Sequence, residues 1–364
     1  MVQGSVKIGI MTFHWAANHG ALLQTYALQK SLEELVPGSN VVIVDYKPAK
    51  YDWNLKKVIN SRNLRVVREN LREVKKEKLL TPFRNSIQKT KRYYSVEQLM
   101  EQPPECDVFI SGSDQIWNEY YTMQGEGKPT AAYYLPFGSN AIRISYAASF
   151  GSTSLKPEMQ AYILPYLQEL DGISVRERTG KEILDQMGIP CQIVCDPSVL
   201  MDREAYCNIA QRAFSGKYTA KYFLRGESAE AAKVIQYFKK DGKVRDITLL
   251  SMEKWVGAIQ HAEFLLTNSF HGMMVALKLH VPFAIFLSEG VLSGMNDRFY
   301  TLLDRLGLTN RIVGADTSLV YLKQETINWN HADRVMEEYA AESVEFLQKF
   351  CMSLDAADCY GVCQ

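Results

Sequence analysis

Short, unbroken apolar runs alternate along this chain with stretches whose apolar residues recur at helical spacing. Val6–Phe13 is such a run and predicts a buried strand. A polar turn, His14–Gly20, leads into an amphipathic helix over Ala21–Leu35, and Asn40–Tyr46 is apolar again. Strand, helix, strand without a hairpin turn predicts a βαβ unit and a parallel sheet. Asp107–Ser113 and Ile142–Phe150 predict two more strands. A helix over Pro157–Leu170, a strand over Gly172–Arg176, a helix over Arg178–Met187 and a strand over Cys191–Asp196 follow.

The rhythm fades over Asp202–Gly216 and then restarts. Strands are expected at Tyr218–Leu224, Asp246–Leu250, Phe264–Thr267 and Pro282–Leu287. Helices are expected at Ala229–Lys239, Glu253–His261, His271–Leu279 and Arg298–Leu306, with one long final helix over His331–Met352. The organisation predicted is an N-terminal α/β domain over 1–205, a C-terminal one over 206–330, and a helix and tail over 331–364. Two such sheets facing each other leave a cleft at their carboxyl ends, the usual ligand position.

Composition narrows this picture. At 364 residues the chain is long for one core and comfortable for two. With 47% hydrophobic and 23% charged residues it is an ordinary globular mix, and its net charge of zero selects no partner, so any anion site must be local. No stretch approaches the ~20 apolar residues that span a bilayer, and the N-terminus lacks a signal-peptide pattern. Seven cysteines with no Cys-x-x-Cys pair fit reduced thiols and a cytoplasmic location; Cys359 and Cys363, four apart, read as part of a tail and not as a metal site. No metal site is expected. One segment departs from the average: residues 54–92 hold thirteen Lys or Arg against three Glu, with Leu64, Val67, Leu71 and Val74 at helical spacing. It reads either as a solvated helix covering the sheet or as a basic surface that meets anionic lipid or a diphosphate-bearing acceptor. No nucleic-acid motif accompanies it.

Three strand-to-helix junctions carry candidate chemistry. In Phe264–Leu277 an apolar strand ends at Asn268-Ser269 and a helix starts at His271-Gly272, where free N–H groups and the helix dipole favour an anion. A plain Ser N-cap beside a surface His fits the spacing equally well. In Asp107–Asn118 a strand turns sharply at Gly112 into Ser113, Asp114, Gln115 and Asn118; an Asp-capped turn is the plainer alternative. In Gly172–Glu177, Arg176 leaves a strand end, where its fork suits a carboxylate or phosphate, or merely pairs with Glu177. Asn18, His19 and Gly20 form a weaker fourth junction, and Arg225 and Arg298 are additional cations at element ends. Walker loops, Gly-x-Ser-x-Gly elbows, His-Glu-x-x-His and a complete Gly-x-Gly-x-x-Gly are missing.

In order, Gly-Ser-Asp-Gln-x-Trp-Asn (112–118), Ser-Tyr-Ala-Ala-Ser-Phe-Gly (145–151), Ser-Val-Arg-Glu (174–177), Cys-Asp-Pro-Ser (195–198) and Thr-Asn-Ser-Phe-His-Gly (267–272) resemble the polysaccharide pyruvyl transferase family. The resemblance spans roughly residues 6–310. It implies an α/β fold of two Rossmann-like domains facing a cleft, glycosyltransferase-B-like, with the donor mainly on the C-terminal side. It implies phosphoenolpyruvate as donor substrate, no cofactor and no metal, and transfer of its enolpyruvyl group to a sugar as a ketal. The family's His falls on His271 and its strand-end Arg on Arg176, with Asp114 a candidate base. The substrate-binding set expected around them is Asn18, His19, Gly20, Ser113, Gln115, Asn118, Arg225, Asn268, Ser269, Gly272 and Arg298. The expected partners are phosphoenolpyruvate and a sugar acceptor, with a polyprenyl-diphosphate link and peripheral contact at the inner membrane surface left as open alternatives, and no nucleic acid. Two rivals stay open: a nucleotide-sugar glycosyltransferase of the same fold, with Glu289 on the ribose, and a non-catalytic sugar-binding protein of a capsule pathway.

Overall fold

The structure is a computed structural model that describes residues 5–52, 63–314 and 317–352. The first nine residues of the basic segment, and Cys359 and Cys363, lie outside the described residues. Strands β1 (Lys7–Met11), β2 (Asn40–Ile43), β3 (Val108–Ser111) and β4 (Ile142–Ser145) form a parallel sheet in the order β2-β1-β3-β4. Short strands β5 (Ser174–Val175) and β6 (Gln192–Ile193) pair with each other and continue the sheet through the bridges Ile144–Gly172 and Ala148–Val175. A second parallel sheet has the order β10-β9-β7-β8, from β7 (Thr219–Tyr222), β8 (Val244–Asp246), β9 (Phe264–Thr267) and β10 (Phe283–Ile285). The expected α/β architecture of two Rossmann-like sheets is what the chain adopts. Inner strands such as β3 and β9 are buried at every position, as parallel strands covered on both faces must be.

Helices fill the connections. α1 (His19–Leu35) starts two residues earlier than the periodicity predicts, because the Asn18 side chain caps it by accepting from the Gly20 N–H. α2 spans Leu64–Ser86 and α3 Glu119–Gln124; α4 covers Pro157–Gln168 and α5 Arg178–Gln186. The turn α6 (Pro197–Leu200) is capped by Asp196 with Pro197 in the first turn. α7 (Ala229–Asp241), α8 (Met252–Gln260), α9 (Phe270–Lys278) and α10 (Asp297–Leu306) belong to the second half, and α11 (Trp329–Cys351) follows them. α1 packs on α6 and α9, so residues of both halves share one core: Ile10 and Leu22 belong to the same cluster as Met273 and Val275. Each such fully buried side chain contributes about 1.5–3 kcal/mol. Among the described residues no helix is long and apolar enough to cross a membrane.

One expectation is corrected here. The strand expected at Asp246–Leu250 runs at Val244–Asp246 instead, and Ile247–Leu250 turns back so that the Leu250 carbonyl meets His19 Nε2 at 3.0 Å. The basic segment forms the expected helix, α2, in which Leu71 is 55% exposed. α2 packs instead through its C-terminal half, where Lys76, Leu80, Phe83 and Arg84 are buried. It also reaches the second half, with Arg72 3.8 Å from Asp246 and Lys76 over the Tyr222 ring.

Candidate functional site

Four chain segments distant in sequence converge where the carboxyl ends of the two sheets meet. The centre is Asp196, the cap of α6, whose side chain is entirely buried. Its Oδ1 accepts from the Ser198 N–H and hydroxyl, at 3.0 and 2.6 Å. Its Oδ2 accepts from Arg176 Nη1 at 2.8 Å and from the Ser113 hydroxyl at 3.3 Å, and His271 Nε2 stands 3.5 Å away. Burial alone would raise the Asp196 pKa; the charges of His271 and Arg176 and the Ser198 bonds override it and hold the carboxyl well below its ordinary range.

Arg176 leaves the end of β5 and is itself buried. Besides Asp196 it gives its Nε to Glu177 at 3.2 Å, and its Nη2 lies 4.0 Å from Asp114 Oδ1. Burial pulls this guanidinium's pKa down, and Glu177, Asp196 and Asp114 outweigh that, so it stays charged. Arg298, at the start of α10, completes the set from the second half. Both guanidinium groups face the Phe270 ring, Arg176 at 5.4 Å and Arg298 at 5.8 Å, and both line one cavity with Asp196, Thr301 and Tyr339. Burial, then the charge of Arg176, lowers the Arg298 pKa to about 10, which leaves it cationic at neutral pH.

The cavity is lined by donors that lack acceptors. Arg176 Nη2, Arg298 Nε and the Thr301 hydroxyl are buried there without a hydrogen bond, and His271 Nε2, beside the cavity, has only the Asp196 carboxylate at 3.5 Å. A buried donor left so costs about 1–3 kcal/mol, more when charged. An anion with several oxygens offers such donors the acceptors they lack. His271 is brought here by α9, whose N-cap Ser269 accepts from the Gly272 N–H and whose first turn points at the same place. A Cβ built on Gly20 would stand 2.2 Å from His271 Nδ1, so the first half must present a glycine for α9 to come this close.

The other residues singled out in the sequence divide into two groups. Asp114, with φ of 75°, and Ser113 lie at the site, though Ser113 spends its hydroxyl on Ala147 and Asp196 and its N–H on Gln24. Gln115 and Asn118 lie against Gly151 at the rim, and Asn118 caps α3 while donating to the Phe150 carbonyl. Arg225, at φ of 61°, is exposed beyond β7 on the opposite wall. His19 is not open to a ligand. It is fully buried, hydrogen-bonded to Tyr222 and the Leu250 carbonyl, and stacked on Trp255 at 4.9 Å. Burial, with the charge of Lys76, lowers its pKa to about 3. Asn18 is a helix cap and Asn268 fixes both amide atoms on the Leu224 backbone. Gly272 packs on Thr267 and Tyr222. Glu289 is exposed. Asp196, Glu177 and Thr301 were not singled out as site residues. The first had a visible signal, Asp-Pro-Ser after a strand, but that pattern equally describes an ordinary cap. Among the described residues no group of His, Cys, Asp or Glu is placed to hold a metal ion.

A family model described as polysaccharide pyruvyl transferase matches residues 18–289. No curated protein matches the chain at a significant level. Solved structures similar to it include the S. aureus MnaA–UDP co-structure, at 10% identity and TM-score 0.49, covering 95% of this chain and 96% of that one. Arabidopsis thaliana UGT89C1 complexed with quercetin aligns at 8% identity and TM-score 0.47, covering 96% and 99%. The UDP-GlcNAc 2-epimerase of Methanocaldococcus jannaschii aligns at 11% and 0.43, covering 92% and 98%.

Proposed function

This chain belongs to the polysaccharide pyruvyl transferase family, and we propose that it moves the enolpyruvyl group of phosphoenolpyruvate onto two hydroxyls of one sugar in a cell-surface glycan or its lipid-linked precursor. The observation that supports this reading is the set of unmet buried donors on Arg176, Arg298 and Thr301 around one cavity, with His271 beside them on Asp196. Phosphoenolpyruvate carries a carboxylate and a phosphate on one small frame, enough oxygens for all four.

In the proposed reaction a proton adds to C3 of the enol and C2 takes on oxocarbenium character. One sugar hydroxyl attacks C2, the C2–O bond to phosphate breaks, and a second hydroxyl closes the ketal. The two hydroxyl protons balance the equation, one ending in the new methyl group and one on phosphate. Arg298 and the free edge of Arg176 hold the donor's charge, and they favour the transition state by about 3–4 kcal/mol per donor where phosphate charge develops. His271, at the start of α9, serves the leaving phosphate. Asp114, 4.0 Å from Arg176, takes the proton of the attacking hydroxyl in this scheme. Asp196 and Glu177 touch no substrate in this scheme; they fix the Arg176 fork.

A thermal-shift panel tests the reading directly. Phosphoenolpyruvate is expected to raise the melting temperature, and Arg298→Gln to abolish the rise. Stabilisation by uridine nucleotides instead, with none by phosphoenolpyruvate, overturns the donor assignment. The location proposed is cytoplasmic, with the acceptor brought to the protein at the inner face of the membrane.

A further inference from the structure

The strand order β2-β1-β3-β4 has a switch point between β1 and β3, where the following connections leave in opposite directions and open a crevice above the carboxyl ends. Three loops bring aromatic rings to it. Trp15 follows β1, Tyr51 follows β2, and Tyr121 sits on α3, which follows β3. Trp15 and Tyr51 are stacked at 4.5 Å with 26° between planes, and Tyr121 lies 6.2 Å from Tyr51. Phe13 lies 5.7 Å from Trp15 and 4.4 Å from Tyr121. Unlike Phe13, these three rings are only partly buried.

We infer that this aromatic patch is a subsite for a pyranose ring of the acceptor. The inference rests on the proposed reading that a sugar accepts the transferred group. A pyranose offers a face of C–H bonds, which packs on aromatic rings, and a rim of hydroxyls, which needs polar groups around that contact. Both are present. The Tyr121 hydroxyl lies in the fields of Asp114, from the same crevice, and of Arg225, from the second half. Asp114 is in turn 4.0 Å from Arg176. A ring seated on the patch is thus on the side of the crevice from which Asp114, the proposed base, leads to Arg176 of the donor cavity.

The patch is also held rigid. The loop carrying Trp15 is braced by Arg84, which donates to the carbonyls of His14 and Ala16 at 2.9 and 3.1 Å. His14 is buried and donates from Nε2 to Asp45 at 2.8 Å. Lys50 lies over the Tyr51 ring at 4.8 Å. Rings fixed in advance lose little freedom when a ligand arrives, which suits weak, stacking-based recognition of a sugar.

Saturation-transfer difference NMR on the full chain tests this, with methyl β-D-galactopyranoside, methyl β-D-glucopyranoside and methyl α-D-mannopyranoside as probes. At least one probe is expected to receive saturation, strongest at the C–H protons of one ring face. Tyr121→Ala should weaken its apparent affinity about threefold to tenfold, while Tyr121→Phe, which keeps the ring, should stay closer to the parent. Near-ultraviolet dichroism and a melting curve establish that each variant is folded, and Tyr51→Ala repeats the test if Tyr121→Ala is not. No saturation of any of the three probes, or signals unchanged in folded Tyr121→Ala and Tyr51→Ala, overturns the subsite. The same samples are melted with phosphoenolpyruvate. A Tyr121-dependent sugar signal without donor stabilisation removes the donor assignment and leaves the subsite standing; donor stabilisation without any sugar signal does the reverse.

Discussion

Arg176 has two of its three nitrogens committed, to Glu177 and Asp196, and the third faces the cavity. Such a buried network is sensitive to geometry as well as charge, because removing one member strands the others at about 3–5 kcal/mol. Arg176→Lys keeps the charge but reaches one partner at a time. We expect it to weaken phosphoenolpyruvate binding about tenfold or more, read as a shifted donor titration; overlaying titrations in a folded Lys variant would remove Arg176 from the site. His271 calls for a pair of substitutions. If it donates a proton to the leaving phosphate, His271→Gln and His271→Ala both lose about 10²-fold in turnover. If it only hydrogen-bonds bound donor, the Gln variant keeps its turnover and changes affinity alone. Phosphate release at saturating donor, with a melting curve for each variant, separates the two, and full turnover in folded His271→Ala excludes both.

Among the elements, α9 was the most legible. An apolar run ending in Asn268-Ser269 before a helical repeat announced both the strand end and the cap, and both formed. What the pattern did not carry was convergence. Ser113, Arg176, Asp196 and His271 each sit at an ordinary strand end in sequence, and only the crossovers between strands place them around one carboxylate. His19 shows the converse. A His-Gly pair before a helix looks open to a ligand, yet its ring is saturated by Tyr222 and Leu250, residues of the other half that no local pattern announces. α2 was legible as a helix but not in its facing, since Val66 and Leu71 are exposed while Lys76 and Arg84 are buried beside Leu80 and Phe83. Its exposed Val66 and Leu71 lie among Arg68, Arg72, Lys75 and Lys78. Replacing Arg68 and Lys75 by Gln is expected to lower partition to anionic phospholipid vesicles by about 1 kcal/mol per charge at low salt, with the difference shrinking as salt is added. Equal sedimentation of parent and variant with such vesicles would leave α2 a solvated cover for the sheet.

The two halves are joined through buried, neutral imidazole. His19 ties α1 to Tyr222 and Trp255 of the second half, and its pKa of about 3 lies below the ordinary histidine value. The unfolded chain therefore binds this proton more readily than the folded one, so stability is complete above about pH 6.5 and falls as pH drops from there toward 3. His14, also lowered, by burial against the pull of Asp45, acts in the same direction. Denaturant midpoints are expected to fall between pH 7 and pH 5, by up to about 1.4 kcal/mol per pH unit for each such histidine. His19→Gln should flatten part of that slope. An equal slope in parent and variant would show that His19 is protonated without cost and does not hold the halves together.

Helix α11, the last among the described residues, reaches back across the molecule. The Ser343 hydroxyl accepts from the Cys195 N–H at 2.9 Å, next to Asp196, and Tyr339 lines the cavity itself. A chain cut before residue 339 therefore still carries Arg176, Asp196, His271 and Arg298, yet lacks both the acceptor for the Cys195 N–H and the Tyr339 wall of the cavity. Such a truncation is expected to leave the anion site unbuilt although each of its charged residues is present.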